Sequence, residues 1–355
     1  YSVCTSNIIL ILLPPTTNFI NIYDKIKNKN FIKSAQNKLN NLNCKIIAIT
    51  GSNGKTSVKN ILLNLLSTTY KVQASPKSFN TPLGLSKFIN DEVKSDTEFL
   101  ILEYGARHKK DIKNLCKIFG ADYGIITTIS PQHLETFKTT GNVFKAKQEL
   151  SKFLYKKFCI FNIDNLYTYR MFLEKENCKI SASIFTTADI YASNIKVKNF
   201  LTYFTLHNKE KLYNTKTKLL GEHNILNIVL ATSLALKLKV PLNKILYTIK
   251  KLQPTPHRLE YINSRINILD DSYNCSISSA KQALKVLNCC PNKKVVATPG
   301  IIEGGKNQYN INFTLGKMCT QCNTCIIIGN ENKKAILDGL KSQNFNSNNI
   351  ISKNI

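Results

Sequence analysis

The sequence is poor in acidic residues. Only 22 aspartates and glutamates stand against 49 lysines and arginines among 355 residues, which gives a net charge of +27. The sequence also lacks any dense basic run, since its lysines are scattered among many asparagines and isoleucines. Nucleic-acid binding usually concentrates basic residues on one face or along one helix, so we expect no nucleic-acid partner. The same positive field suits a small polyanionic substrate.

Three further features are missing. The 11 cysteines form no paired framework, and no stretch resembles a cleavable signal peptide, which predicts a reduced, cytoplasmic setting. The Cys319-x-x-Cys322-x-x-Cys325 cluster lacks a fourth ligand, and we interpret the apolar run that Cys325 opens as a buried strand rather than part of a metal site.

The apolar run at 8–15 is shorter than the roughly 20 residues of a membrane-spanning helix. Membrane association of residues 1–44 stays open, because this run also suits the end of a longer segment.

One segment carries a strong chemical signal. Four apolar residues, Ile46–Ile49, lead into a turn with the spacing G-x-x-G-K-T, and a helical pattern follows at once. The N–H groups of such a turn and of the helix start converge on an anion, so the segment predicts a phosphate-binding loop. Lys55 is placed to reach the terminal phosphates, and Thr56 offers a hydroxyl to Mg²⁺.

Apolar runs at 97–106, 121–130 and 157–165 alternate with helical patterns. This alternation predicts a largely parallel sheet that is covered on both faces. The carboxyl ends of the strands carry Thr50, Glu103, and Ser130 followed by His133. Because parallel strands end at the same edge, we expect these polar groups to meet in one ligand-binding crevice.

The predicted fold class is α/β. A central, mostly parallel, P-loop ATPase-like sheet domain over residues 45–251 follows an N-terminal segment, 1–44, that is reduced or fragmentary. Within the central domain, 180–220 predicts an antiparallel extension and 221–238 a long helix. A smaller, incomplete, Rossmann-like α/β domain over residues 252–355 is expected to repeat the strand–helix alternation, beginning with the strand at 266–274.

Six separated motifs occur in a characteristic order: TGSNGKTS (50–57), SFNTPLG (78–84), EYGA (103–106), HLETF with KAKQEL (133–137, 145–150), GEHNILN (221–227) and HRLE with DDSYN (257–260, 270–274). Together they resemble the Mur ligase family of ATP-dependent amide-forming enzymes. The resemblance implies ATP as a substrate and two Mg²⁺ ions as cofactors.

The resemblance also implies site residues for the nucleotide and the metals. The phosphates of ATP would be held by Gly51, Ser52, Asn53, Gly54, Lys55, Thr56 and Ser57. Thr56 and Glu103 would bind one Mg²⁺, and His133 the second. Lys147 matches a lysine that carries a carbamate bridging the metals, with Lys145 as the neighbouring competitor. Lys55, His133 and Lys147 are therefore the expected catalytic residues.

Further positions match the family's nucleotide and substrate contacts. Asn227 would contact adenine, with His223 and Asn224 shaping the same helix start. Arg258 would reach a phosphate and Asp271 the ribose. Asn80 and Thr81 would line the uridine-nucleotide substrate loop. Tyr273 and Asn274 would face the incoming dipeptide.

The DDSYN segment is most similar to members that add D-alanyl-D-alanine to UDP-N-acetylmuramoyl-tripeptide through an acyl phosphate. This similarity implies a monomeric ligase of peptidoglycan precursor synthesis whose substrates are a nucleotide-sugar peptide and D-alanyl-D-alanine. Two alternatives stay open at this point. One is another amide ligase of the superfamily, of the folylpolyglutamate or cyanophycin type. The other is a decayed, non-catalytic nucleotide-binding protein.

Overall fold

The apolar run that precedes the glycine turn forms an interior strand, the third in order, of a nine-stranded sheet. The structure is a computed structural model that describes residues 26–76, 79–132, 134–273, 276–302 and 305–353. Its described strands are β1 (Lys45–Thr50), β2 (Val72–Ala74), β3 (Phe99–Glu103), β4 (Tyr123–Ile126), β5 (Cys159–Asn162), β6 (Lys179–Ser183), β7 (Ile190–Lys198), β8 (Leu201–Asn208), β9 (Lys211–Thr217), β10 (Glu260–Asn263), β11 (Asn267–Asp270), β12 (Val295–Thr298), β13 (Thr324–Ile328) and β14 (Ile350–Lys353).

Helices follow most of these strands. The described helices are α1 (26–41), α2 (Lys55–Leu66), α3 (Pro82–Glu92), α4 (Asp111–Phe119), α5 (Leu134–Phe137), α6 (Thr140–Phe153), α7 (Leu166–Glu174), α8 (Glu222–Lys237), α9 (Leu242–Lys251), α10 (Ile277–Asn288), α11 (Gln308–Cys319) and α12 (Lys333–Lys341).

The large sheet has the strand order β2-β3-β1-β4-β5-β6-β7-β8-β9. Pairing is parallel from β2 to β7 and antiparallel between β7, β8 and β9. The predicted fold class is therefore confirmed. The antiparallel extension is confirmed for β7 to β9, whereas β6 continues the parallel part. The strand order reverses at β1, and ligands of open α/β sheets bind at the carboxyl end of such a strand.

Alternate residues of β1 belong to two separate cores, because successive side chains of a strand point to opposite faces. Ile46 and Ala48 join the core beneath α1, α3, α4 and α6. Ile47 and Ile49 join the core beneath α2, α8 and α9. Both faces of the central strands are thus covered, which explains why these strands are apolar throughout.

The chain from β10 onward forms two smaller sheets. The three strands β12, β13 and β14 pair in parallel and alternate with α11 and α12, as the sequence predicts for this region. The alternation that the sequence predicts from 266–274 onward is observed, because β11 is followed by α10 and β12. The strand β11 nevertheless lies outside the parallel sheet, since it pairs antiparallel with β10 in a two-stranded sheet. The connection between β10 and β11 is too short for a parallel crossover, which needs about a dozen residues or more.

The three cysteines of the 319–325 cluster are buried, and Cys325 lies in β13, as expected. The apolar run at 8–15 lies outside the described residues. Among the helices that the structure describes, none is long and apolar enough to span a bilayer. The domain boundary at 251/252 stays a prediction, although α9 ends at Lys251.

Candidate active site

The glycine turn lies at the carboxyl end of β1, and two neighbours leave no room for side chains on it. At Gly51, where φ is 149°, a Cβ would lie 1.9 Å from the Thr127 hydroxyl. At Gly54, where φ is 85°, a Cβ would lie 2.7 Å from the Asn227 amide oxygen. Only glycine fits these positions, so backbone N–H groups can approach an anion closely.

Strand β4 and the residues after it brace the turn. The Thr127 hydroxyl donates to the carbonyl of Asn53 at 2.5 Å, and the Ser52 N–H donates to the carbonyl of Thr128 at 2.6 Å. The Asn53 side chain donates to the Ser130 hydroxyl at 3.2 Å. The predicted meeting of Ser130 with the end of β1 is therefore observed, and the turn is held in shape before any ligand arrives.

Lys55 is the first residue of α2 and bends back over the turn. Its Nζ donates to the carbonyls of Gly51 at 2.8 Å and Ser52 at 3.0 Å. Burial lowers the pKa of this ammonium, the carboxylate of Glu103 raises it, and the charge of Arg258 lowers it further. A phosphate at the turn would place a further negative charge beside this ammonium.

Glu103 ends β3 beside α2 and is 1% exposed. Its Oε2 accepts a hydrogen bond from the Thr56 hydroxyl at 3.3 Å, and its Oε1 lies 2.8 Å from the Nζ of Lys59. A hydroxyl and a carboxylate oxygen at this distance form the donor set that Mg²⁺ prefers. The residues present thus fit one of the two expected cations.

Lys59 is a residue of this site that the family motifs do not mark, although its position on the helix does. Lys59 lies one turn after Lys55 on α2 and is 2% exposed, in a run of otherwise apolar buried positions. A lysine on the buried face of a phosphate-loop helix needs an anionic partner nearby. The partner is the predicted metal carboxylate, Glu103.

Lys147 lies on α6 and is 2% exposed. Lys145, the alternative candidate for the carbamate-bearing lysine, lies on the same helix and is exposed. Burial, with the nearby charge of Lys55, lowers the pKa of the Lys147 amine to about 7. The amine forms no ion pair with any described carboxylate. With a pKa near 7, a substantial fraction of this buried amine is neutral at pH 7 and can react with CO₂, whereas an exposed lysine of ordinary pKa is almost fully charged.

Asn227 packs on the phosphate turn from α8, through the contact with Gly54 described above. Its amide N–H₂ donates to the Asn224 side chain at 3.4 Å, and Asn224 donates to the carbonyl of Leu220 at 2.8 Å. Burial lowers the pKa of the adjacent His223 to about 4, so its imidazole is neutral at pH 7. Asn224 and Asn227 are thus buried on α8, and Asn227 presents a neutral amide to the turn.

Arg258 approaches the turn from beyond α9. It lines a cleft with Ser57, Asn60 and Thr255, and the Asn60 amide donates to the Thr255 hydroxyl at 3.3 Å. Its guanidinium lies 4.2 Å from the centre of the Tyr273 ring. The structure thus places Arg258 at the phosphate loop and Tyr273 directly against Arg258.

Asp271 lies at the end of β11, and its Oδ1 accepts the N–H of Leu259 at 3.0 Å. Burial raises the pKa of this carboxyl to about 6, the largest of several effects. Because a raised pKa means that the folded state resists ionisation, the charged carboxylate lowers stability above pH 6, and this penalty disappears as the pH falls toward 4. Hydrogen bonds from a ligand, such as those of ribose hydroxyls, would offset the loss of stability that the charged Asp271 carboxylate causes.

The segment that contains Asn80 and Thr81 runs beside the end of β3. The N–H of Gly105 donates to the carbonyl of Asn80 at 3.0 Å. Thr81 caps α3, since its hydroxyl accepts the N–H of Gly84 at 3.2 Å. His133 and Asn274 lie outside the described residues.

A mostly parallel sheet whose strand order reverses at a glycine turn, with a helix starting at Lys55, defines a phosphate-binding α/β protein of the P-loop class. The family profile described as the Mur ligase middle domain matches residues 49–235. The chain belongs to the Mur ligase family, as its motifs predict.

Individual relatives agree with this assignment. The UDP-N-acetylmuramoyl-tripeptide–D-alanyl-D-alanine ligase of Buchnera aphidicola subsp. Baizongia pistaciae (strain Bp) is 30% identical over 322 residues, which cover 88% of this chain and 69% of that protein. The ligase of the same name from Buchnera aphidicola subsp. Acyrthosiphon pisum (strain APS) is 30% identical over 280 residues, 77% of this chain and 61% of that protein. The chain thus spans about two thirds of the length of these relatives.

A solved structure has the same fold. The crystal structure of the MurF ligase from Thermotoga maritima in complex with ADP superposes with a TM-score of 0.81. It is 23% identical in sequence, and the match covers 92% of this chain and 74% of that chain. This likeness confirms the arrangement of the elements described above.

Proposed function

We propose that this protein is an ATP-dependent ligase of peptidoglycan precursor synthesis that joins D-alanyl-D-alanine to UDP-N-acetylmuramoyl-tripeptide. The observation that carries the proposal is the meeting, at one edge of the sheet, of the phosphate turn with Glu103 and Thr56, flanked by the buried amine of Lys147. The names of the two Buchnera relatives supply the substrates. ATP and amide ligation follow from membership of the family.

The reaction proceeds in two displacements. A carboxylate oxygen of the acceptor attacks the γ-phosphorus of ATP, and ADP leaves. The amine of the dipeptide then attacks the acyl carbon, and the tetrahedral intermediate releases phosphate and a proton to give the amide. Such a reaction asks the protein for positioning and charge neutralisation rather than for a covalent nucleophile.

The phosphate turn and the residues around it position the nucleotide and neutralise its charge. The N–H groups of residues 51–57 and the ammonium of Lys55 bind the phosphates and neutralise charge that develops on the transferred group. Asn227 contacts the adenine, while Arg258 reaches a phosphate and Asp271 the ribose. These last two residues come from outside the large sheet, so the nucleotide would bind between the sheet and that part of the chain.

Mg²⁺ supplies positive charge at the phosphate oxygens when it is bound. Thr56 and Glu103 would hold one ion, and their 3.3 Å separation with both oxygens facing each other supports this assignment. His133 is proposed for the second ion. Lys147 would react with CO₂ to form a carbamate, in which a new N–C bond replaces an N–H bond and the proton goes to water. This reaction changes the neutral amine into an anion that can bind cations.

The substrates bind on either side of the phosphate turn. Asn80 and Thr81 are proposed to contact the uridine-nucleotide half of the acceptor, because their segment lies against the end of β3, two residues from Glu103. Tyr273 and Asn274 are proposed to face the dipeptide. Tyr273 is 53% exposed and packs on Arg258, so a ligand can reach its ring.

Phosphate release in a matrix of acceptors and amines tests this proposal. With Mg²⁺ and ATP, the purified protein should release phosphate with UDP-N-acetylmuramoyl-tripeptide and D-alanyl-D-alanine together, and with neither alone. Turnover with a folate acceptor and glutamate, and none with the dipeptide, would replace the cell-wall assignment by the folylpolyglutamate alternative. An absence of turnover in every combination, despite ADP binding, would favour the decayed nucleotide-binding protein.

A further inference from the structure

A buried ion pair joins the phosphate-loop helix to the predicted metal carboxylate. The Nζ of Lys59 lies 2.8 Å from Oε1 of Glu103, and the two side chains are only 3% and 1% exposed. Withdrawing two charges from water is expensive, and their attraction compensates for this only where the geometry is good. Hydrophobic residues of similar volume would fill this position without the desolvation cost. The presence of the ion pair therefore indicates a role beyond packing.

The geometry around Glu103 shows what the pair does. The two carboxylate oxygens have different partners: Oε1 faces Lys59, and Oε2 faces the Thr56 hydroxyl at 3.3 Å. The attraction between the Lys59 ammonium and Oε1, which lie 2.8 Å apart, restrains the rotation of the carboxylate plane. The other oxygen is thereby left beside the hydroxyl with which it would share a cation.

Lys59 is itself held by a second contact. Its Nζ donates to the carbonyl of Ser75 at 2.5 Å, and the N–H of Ser75 donates to the carbonyl of Ile101 in β3 at 3.0 Å. Ser75 lies five residues before Asn80, whose carbonyl accepts the N–H of Gly105 just after β3. Lys59 therefore links the carboxylate to the start of the segment that contains the proposed substrate contacts.

We propose that Lys59 is a positioning residue that orients Glu103 for divalent-cation binding. The ammonium holds Oε1, so Oε2 and the Thr56 hydroxyl form the metal-binding pair. This inference rests on the proposed function, because it takes Glu103 as a ligand of Mg²⁺. Groups that orient metal ligands typically contribute about 10- to 100-fold to metal affinity.

The test measures Mn²⁺ affinity in the presence of ADP by electron paramagnetic resonance, which requires no turnover. Lys59→Met should bind Mn²⁺ about 10- to 100-fold more weakly than the wild type. The matched control is Lys175→Met, which removes another buried ammonium whose Nζ donates to the carbonyls of Leu154 and Tyr155. It should change Mn²⁺ affinity by less than about twofold, because it contacts no metal ligand.

A second variant keeps the test decisive if Lys59→Met fails to fold. Lys59→Arg retains the charge, but a guanidinium forms bidentate hydrogen bonds to both oxygens of a carboxylate. These bonds would move Oε2 of Glu103 away from Thr56. It should weaken Mn²⁺ binding about tenfold while metal-free ADP affinity stays within about twofold. Wild-type Mn²⁺ affinity in Lys59→Arg, and in Lys59→Met where it folds, would overturn the proposal.

Glu103→Gln separates failure of this inference from failure of the proposed function. If Glu103→Gln loses Mn²⁺ affinity and the Lys59 variants do not, the orienting role is wrong and the metal assignment stands. If Glu103→Gln binds Mn²⁺ as the wild type does, Glu103 is not a metal ligand. In that case both the metal assignment and the role proposed for Lys59 are wrong.

Discussion

Lys55→Ala should reduce ATP-dependent phosphate release by at least a factor of about 100 to 1,000, the usual consequence of removing a preorganised donor from a transition state. The fold should survive, because the hydrogen bonds of the Lys55 ammonium to described residues go to carbonyls of its own turn, and Lys55 is not part of the apolar cores. The measurement is steady-state phosphate release at saturating Mg²⁺, accompanied by thermal unfolding.

The matched control is Lys87→Ala, which removes an exposed lysine from α3. Both variants should unfold at nearly the wild-type temperature, while only Lys55→Ala loses activity. A purified, folded Lys55→Ala variant with wild-type turnover would show that the turn does not bind the transferred phosphate.

Lys147→Ala should lose activity by a comparable factor, since the carbamate that positions cations would be absent. Added short carboxylic acids should restore part of the activity, because their oxygens can occupy the space that the side chain leaves. The carbamate itself can be observed directly. In ¹³CO₂-equilibrated buffer, the wild type should show a carbamate carbon resonance that Lys147→Ala lacks.

Lys145→Ala is the control for this variant, because Lys145 lies on the same helix but is exposed. It should keep both the activity and the resonance. Full activity in Lys147→Ala, or a carbamate resonance that disappears only in Lys145→Ala, would show that the buried lysine has been misassigned.

Much of the central sheet could be predicted because its signals are local. The glycine spacing at residues 51–54 determines the turn, and continuous apolar runs mark the buried parallel strands. The choice between Lys145 and Lys147 was also available locally. Lys147 lies four residues after Val143 and three before Leu150, on the apolar face of α6, so helical periodicity places it inside.

Other features depend on contacts that no local pattern encodes. The pairing of Lys59 with Glu103 joins residues 44 positions apart and requires α2 to pack against β3. The short connection between β10 and β11 decides their antiparallel pairing, which the residues of β11 alone do not reveal. The approach of Asn227 to Gly54 likewise follows from the packing of α8 against α2.

Amide formation is expected to pass through an acyl phosphate of the acceptor. An acceptor that carries ¹⁸O at both oxygens of its reacting carboxylate tests this, when it is incubated with ATP, Mg²⁺ and D-alanyl-D-alanine and the products are analysed by mass spectrometry. One ¹⁸O should appear in inorganic phosphate for each amide formed, because the oxygen that attacks the γ-phosphorus leaves with it. Amide formation accompanied by unlabelled phosphate would rule out the acyl phosphate.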